Sequence, residues 1–168
     1  MPGYVIHLAV AQEYLKKHEQ EYSENFIIGS IEPDFTIDKS KTHYGKSPAY
    51  TSLKSYLETN KIDTDFQKGY FLHLVTDYLF YNYYLDEIKK PQIYNDYDMT
   101  NNPLIEKYKI ALPDKVKEKV LFKRGTPQIL TFSLACQIID EVSELELEKI
   151  EEEVRNNIAK WNYYKKLV

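Results

Sequence analysis

The segment from residue 66 to residue 84 constrains the fold more than any other part of the sequence. Large side chains and one glycine recur there at helical spacing, on one face of about five turns. These residues are Phe66, Gly69, Tyr70, His73, Asp77, Phe80, Tyr81 and Tyr84. Asp63 or Thr64 can cap the amino end, and two lysines followed by Pro91 mark the carboxyl end. The sequence therefore predicts a long central helix whose most apolar face carries a histidine and an aspartate.

Helical periodicity also recurs on both sides of this segment. We expect further helices at roughly 4–21, 49–58, 103–110, 113–122, 127–142 and 143–166, and loops at roughly 29–48 and 93–102. The start near residue 127 rests on Thr126 as a cap and Pro127 in the first turn. The chain has only 5 glycines in 168 residues, which favours helices over a many-turned β-fold. The prediction is one all-α domain, 1–168, folded as a bundle of about six helices.

Composition excludes several classes of protein. There are 22 basic and 26 acidic residues, so no excess of positive charge is available for sequence-specific or coating interactions with nucleic acid. The single cysteine, Cys136, excludes an intramolecular disulfide framework and a cysteine-rich zinc module. The most apolar stretch, residues 70–85, contains His73, Asp77 and Asn82 and is a poor transmembrane segment. We expect a cytoplasmic protein, and the sequence does not determine its oligomeric state.

His73 and Asp77 are the most informative pair of polar residues. They are four positions apart in a helix, so their side chains point the same way, one turn above the other. The pair can share a metal ion, or its members can hydrogen-bond to each other. A carboxylate on a buried face must be paired, hydrogen-bonded or metal-bound, because burying it alone is too costly. Gly69, one turn earlier, leaves room for a metal, a ligand or a neighbouring helix.

Three further residues extend this pair into a candidate metal site. His7 lies in the first predicted helix, Asp34 follows a proline in the first predicted loop, and His43 follows nine residues later. Three histidines and two aspartates suit zinc, and also manganese, iron or nickel. His18, among charged neighbours, is predicted to be a solvated side chain.

The order and local context of these residues resemble the zinc-dependent bacterial phospholipase C family, whose superfamily includes the fungal single-strand nucleases. The matching segments, which span about half of the chain, are His7, Gly29–Asp34, Thr42–His43 and Gly69–Asp77. The resemblance implies a helical phospholipase C-like fold and one or two zinc ions. It implies that Asp34, His43, His73 and Asp77 ligate one ion, and that Asp77 bridges to a second ion held by His7. It also implies that a metal-activated water attacks phosphorus, with Asp34 as both ligand and catalytic base.

The sequence departs from that family in two respects. The family holds one ion with the amino end of an N-terminal Trp, whereas this sequence begins Met1-Pro2-Gly3, leaving at most the amine of a processed Pro2. The family also uses two further histidines and a glutamate for a third zinc, and no histidine follows His73 here. The carboxylates that could substitute are Asp96, Asp98, Asp140 and Glu141.

The leading hypothesis is a metal-dependent hydrolase acting on a small phosphoester or a phospholipid. The alternative is a non-catalytic metal-binding or interaction protein on the same scaffold, in keeping with the departures from the family. An HD-type phosphohydrolase is disfavoured, because none of the four histidines is followed directly by aspartate.

Overall fold

Helices dominate the computed structural model, which describes residues 3–166, and no β-strand occurs in that range. The α-helices are α1 (Tyr4–Lys17), α2 (Glu24–Ile31), α3 (Lys39–His43), α4 (Leu53–Thr59), α5 (Asp65–Leu79), α6 (Gln92–Tyr108), α7 (Asp114–Lys117), α8 (Phe132–Val142) and α9 (Leu147–Arg155). Turns of 3-10 helix lie at Glu32–Phe35, Pro48–Tyr50 and Ala159–Asn162, and a π-helical turn, Phe80–Tyr84, continues α5. The prediction of an all-α protein is confirmed, although the described range holds nine α-helices rather than about six.

The amino-terminal third contains more helix than predicted. Much of the expected loop at 29–48 is α2, a 3-10 turn and α3. Ser23 begins α2 by accepting a hydrogen bond from the backbone N–H of Phe26. Pro33 lies in the first turn of the 3-10 helix, where a missing N–H costs nothing. Helix α1 ends at Lys17 rather than near residue 21, because Glu19 adopts a left-handed conformation with a φ of 53°.

The central helix begins as predicted and ends earlier. Thr64 caps α5 in a capping box with Gln67, each side chain bonding the other's backbone N–H. The helix then widens into the π-helical turn and stops at Leu85 rather than near residue 90. Within that turn, Asn82 donates to the carbonyl of Tyr78 and accepts from the backbone N–H of Lys165. These side-chain bonds compete with regular helical bonding.

Helix α2 crosses α5 at two glycines. A Cβ atom on Gly69 would overlap the carbonyl oxygen of Phe26, and one on Gly29 would overlap the carbonyl oxygen of Phe66. The two backbones therefore touch, which only glycine at both positions allows. The sequence left room at Gly69 for a metal, a ligand or a neighbouring helix, and the structure shows that a neighbouring helix, α2, fills it.

The prediction of a loop at 93–102 was wrong, because α6 runs through it and includes Pro103. The polar residues of this segment are satisfied by tertiary contacts. The fully buried carboxylate of Asp96 accepts hydrogen bonds from the backbone N–H groups of Gln128, Ile129 and Leu130 at 3.0, 2.7 and 2.9 Å. Those N–H groups are thereby drawn away from helical bonding.

The prediction of a helix starting at residue 127 was wrong for the same reason. Helix α8 begins at Phe132 and is capped by Thr131 rather than by Thr126.

Helix α7 ends at Lys117, short of the expected residue 122. The expected last helix, 143–166, is helical as α9 only to Arg155. Beyond it the chain packs back onto α5, where the hydroxyl of Tyr78 lies 2.7 Å from the carbonyl oxygen of Tyr163.

We expect Asp96→Asn to lower the free energy of unfolding by about 2 kcal/mol. The new amide would direct an NH₂ group at backbone N–H donors that now bind a carboxylate. Urea denaturation measures the effect. Asp98→Asn is the matched control, because Asp98 makes only a 3.6 Å ion pair with the half-exposed Lys123 and should cost less than about 1 kcal/mol. Equal midpoints for the two variants would contradict the anchoring role of Asp96.

No helix within residues 3–166 has both the length and the apolar character needed to cross a membrane.

Candidate metal centre

Four separate elements deliver the five predicted ligands to one place. His7 comes from α1, Asp34 from the 3-10 turn after α2, His43 from the end of α3, and His73 and Asp77 from α5. All five side chains have no solvent exposure. We call these five residues the His/Asp cluster.

The spacing of the ligand atoms suits a metal ion. Asp77 lies 3.1 Å from His7 through Oδ1, and 2.9 Å from His43 and 3.5 Å from His73 through Oδ2, each time to Nε2. Asp34 lies 3.5 Å from His43 Nε2 and 3.7 Å from His73 Nε2. Ligands at the corners of a tetrahedral zinc site are about 3.3 Å apart, given bonds of about 2.0 Å. Two overlapping groups, His7/His73/Asp77 and Asp34/His43/His73, each bring their ligand atoms within 4.8 Å of one another.

Backbone carbonyls fix how the histidines present their nitrogens. His73 Nδ1 lies 2.7 Å from the carbonyl oxygen of Ser30, and His43 Nδ1 lies 3.1 Å from that of Lys39. A carbonyl oxygen only accepts, so each Nδ1 must carry the hydrogen. In the neutral rings, both Nε2 lone pairs then face each other at 3.2 Å. Metal-binding histidines commonly donate their other ring N–H to a carbonyl in this way, and the facing Nε2 atoms can share either a proton or a metal ion.

Buried polar atoms without hydrogen bonds mark the same point. Within residues 3–166, the buried side-chain atoms that lack a hydrogen-bond partner all belong to the cluster: both ring nitrogens of His7, Asp34 Oδ2 and both carboxylate oxygens of Asp77. The short contacts of Asp77 to His7 and His43 do not have hydrogen-bond geometry. Buried polar atoms are nearly always satisfied in native proteins. The donor set therefore fits a metal ion, and the cluster can hold one.

The electrostatics of the cluster keep most of its ligands in the protonation state that metals require. Burial, reinforced by the charge of His73, lowers the pKa of His7 to about 4. Burial alone would raise the pKa values of Asp34 and Asp77, yet the surrounding positive charges, His73 among them in both cases, hold both below their ordinary range. Although burial alone would lower the pKa of His73, the charges of Asp34 and Asp77 raise it. Proton binding at His73 therefore competes with metal binding there.

The carboxylates considered for a third site belong to neither ligand group in the described part of the chain. Asp96 is occupied by backbone N–H groups, and Asp98 pairs with a lysine. Asp140 accepts a hydrogen bond from the Tyr108 hydroxyl at 2.9 Å, and Glu141 accepts one from the Tyr84 hydroxyl at 2.7 Å. The amine of Pro2 lies outside the described residues.

Sequence reasoning missed the cluster's supporting residues. The ammonium group of Lys39 lies 2.8 Å from Asp34 Oδ1. The Tyr4 hydroxyl donates to the carbonyl of Asp34 at 3.1 Å, and the Ser30 carbonyl orients His73. Burial, with a smaller contribution from the charge of Asp77, raises the pKa of Tyr97 well above its ordinary range. A lysine close to a Pro-Asp pair was the only signal available, since a backbone carbonyl has no sequence signature.

A cavity of about 260 Å³ lies beside the cluster. Its wall includes Lys39, which binds Asp34, and Tyr97. The other lining residues are 47–49, Tyr81, Ile88, Lys90, Ile93 and Tyr94. The cavity therefore meets the cluster through Lys39, and none of the five cluster residues lines it.

No protein-family model, curated protein or solved structure matches this chain.

Proposed function

We propose that this protein is a metal-dependent hydrolase of phosphoesters. The observation that carries the proposal is the convergence of two carboxylates and inward-facing histidine nitrogens on one buried point, beside a cavity that contains a lysine. A divalent cation held there, zinc in the first instance, would supply stabilisation of the phosphoryl oxygens and activation of water. The sequence resemblance to the zinc-dependent phospholipases C supports the same chemistry.

Asp34 is the residue best suited to take the proton of the attacking water. Its Oδ1 is engaged by Lys39, and its Oδ2 has no hydrogen-bond partner. Its pKa is held below its ordinary range, so the carboxylate is ionised at neutral pH. An ionised oxygen without a donor can orient a water molecule and accept its proton.

Lys39 favours an anionic substrate. Asp34 and Asp77 together carry a charge of −2, which one divalent cation neutralises. The ammonium group of Lys39 then leaves the centre positive, and a positive centre at the end of a cavity attracts a phosphate group. His7, His43 and His73 add no charge when they ligate as neutral rings.

We expect Asp34→Asn to reduce kcat by at least about 100-fold, because the amide cannot accept the proton. Zinc-loaded protein would be assayed with 4-nitrophenyl phosphate and bis(4-nitrophenyl) phosphate, and its zinc content measured in parallel. Asp38→Asn is the matched control. Asp38 is an exposed aspartate in the same segment that caps α3, a role that asparagine also fills. Wild-type protein that holds stoichiometric metal and hydrolyses neither ester would overturn the proposal.

A non-catalytic metal-binding protein is the second candidate. It is favoured by the complete burial of all five ligand side chains, since structural sites have saturated coordination and catalytic sites keep an open position. Water-proton relaxation of the Mn²⁺-loaded protein separates the two. Exchangeable water on the ion supports the hydrolase, and its absence supports the non-catalytic protein.

A further inference from the structure

The cavity beside the cluster has a distinctive chemical lining. Three tyrosines line it, Tyr81, Tyr94 and Tyr97, and Ile88 and Ile93 are among its aliphatic residues. Tyr81, Tyr97 and Ile93 are buried. A volume of about 260 Å³ lies below the usual range of drug-sized pockets. The space therefore suits one compact, planar or apolar group rather than a pair of acyl chains.

The charge of the lining is entirely positive. Lys39 and Lys90 line the cavity, and no aspartate or glutamate does. Tyrosine rings can bind cations through their faces. Here the ammonium group of Lys90 itself lies 5.8 Å from the centre of the Tyr94 ring. A cationic ligand would meet two lysines, one of them over an aromatic face that could otherwise bind it.

The position of the cavity relates this lining to the His/Asp cluster. Lys39 touches both, because it lines the cavity and binds Asp34 at 2.8 Å. Lys39 is therefore the residue through which a phosphate at the cluster could extend its ester group towards the cavity.

We propose that the cavity binds the alcohol portion of the substrate, and that this portion is a compact aromatic or apolar group without positive charge. The inference rests on the proposed function and narrows its substrate class. Aryl-type phosphoesters fit the cavity, whereas esters of quaternary ammonium alcohols do not. Lys90 is the residue that sets this preference, since Lys39 also serves Asp34.

The experiment compares the binding of an aryl ligand with the binding of a quaternary ammonium ligand. Isothermal titration calorimetry would measure the binding of phenylphosphonate and of phosphocholine to zinc-loaded protein. We expect phenylphosphonate to bind at least about tenfold more tightly. In Lys90→Glu, its affinity should fall by about tenfold or more, and the affinity for phosphocholine should rise.

Lys89→Glu is the matched control. Lys89 carries the same charge on the neighbouring residue, is exposed and pairs with Glu87 at 2.9 Å, and does not line the cavity. This variant should bind both ligands as the wild type does. Tighter binding of phosphocholine by the wild type, or equal effects of the two substitutions, would overturn the inference.

The outcomes for the cavity and for catalysis are separable. Selective binding of phenylphosphonate without hydrolysis of any ester would contradict the proposed hydrolase function but support the proposed specificity of the cavity. Hydrolysis of phosphoesters without a binding preference between the two ligands would support the hydrolase function and contradict the proposed specificity of the cavity.

Discussion

Replacing His73 by alanine should abolish metal binding. His73 is the one residue common to both ligand groups of the described chain, so its loss disrupts each of them. Wild-type protein purified without chelator should contain one or two ions per chain by inductively coupled plasma mass spectrometry. His73→Ala should contain less than about a tenth of that, because each remaining group keeps only two ligands.

The same substitution should remove the stabilisation that zinc gives the folded protein. At a free zinc concentration of about 1,000 times Kd, binding adds about 4 kcal/mol to the free energy of unfolding. For a domain of this size, that corresponds to an increase in Tm of about 10 °C. We expect the increase in the wild type and its absence in His73→Ala, as measured by differential scanning calorimetry with and without zinc.

His18→Ala provides the matched control for both measurements. His18 directly follows α1 as its C-cap, stacks on Tyr14 and lies 3.2 Å from the carbonyl oxygen of Ser143. It belongs to neither ligand group. Its metal content should equal that of the wild type. A His73→Ala protein with wild-type metal content would refute the site, and phosphoesterase activity of this variant in its metal-free form would refute the proposed mechanism.

Gly69→Ala should be the most destabilising small substitution in the central helix. The added methyl group would overlap the carbonyl oxygen of Phe26, a backbone atom that can yield only if α2 moves. We expect a loss of at least about 3 kcal/mol in the free energy of unfolding, the upper part of the range for overpacked cores. Guanidinium denaturation of the metal-free protein measures it.

The displacement of α2 should also weaken the metal centre. The Ser30 carbonyl that orients His73 belongs to α2, and loss of a hydrogen bond that orients a metal ligand typically costs about 10- to 100-fold in metal affinity. Lys68→Ala is the control, because it places alanine on the adjacent, partly exposed position of α5. It should change stability by less than about 0.5 kcal/mol. A Gly69→Ala protein with wild-type stability would contradict the close crossing of α2 and α5.

The part of the fold that sequence could predict is the part set by local spacing. The central helix and its cap at Thr64 follow from helical periodicity and from capping chemistry within four residues. The side chains of His73 and Asp77 point the same way for the same reason. Elements were misplaced where a distant group decided the outcome. Residues 128–130 leave the predicted helix because the Asp96 carboxylate, more than thirty positions away, binds their N–H groups.

The sequence by itself determined an all-α chain and a short list of candidate metal ligands. Helical periodicity and the chemistry of histidine and aspartate are local properties, and they can be recognised from a short stretch of sequence. Only the tertiary structure decided that Gly69 serves helix packing, that Ser30 orients His73, and that Lys39 and Lys90 border one cavity. Those relations depend on backbone atoms and on distances between separate elements, which arise only when burial of the apolar faces brings the helices together.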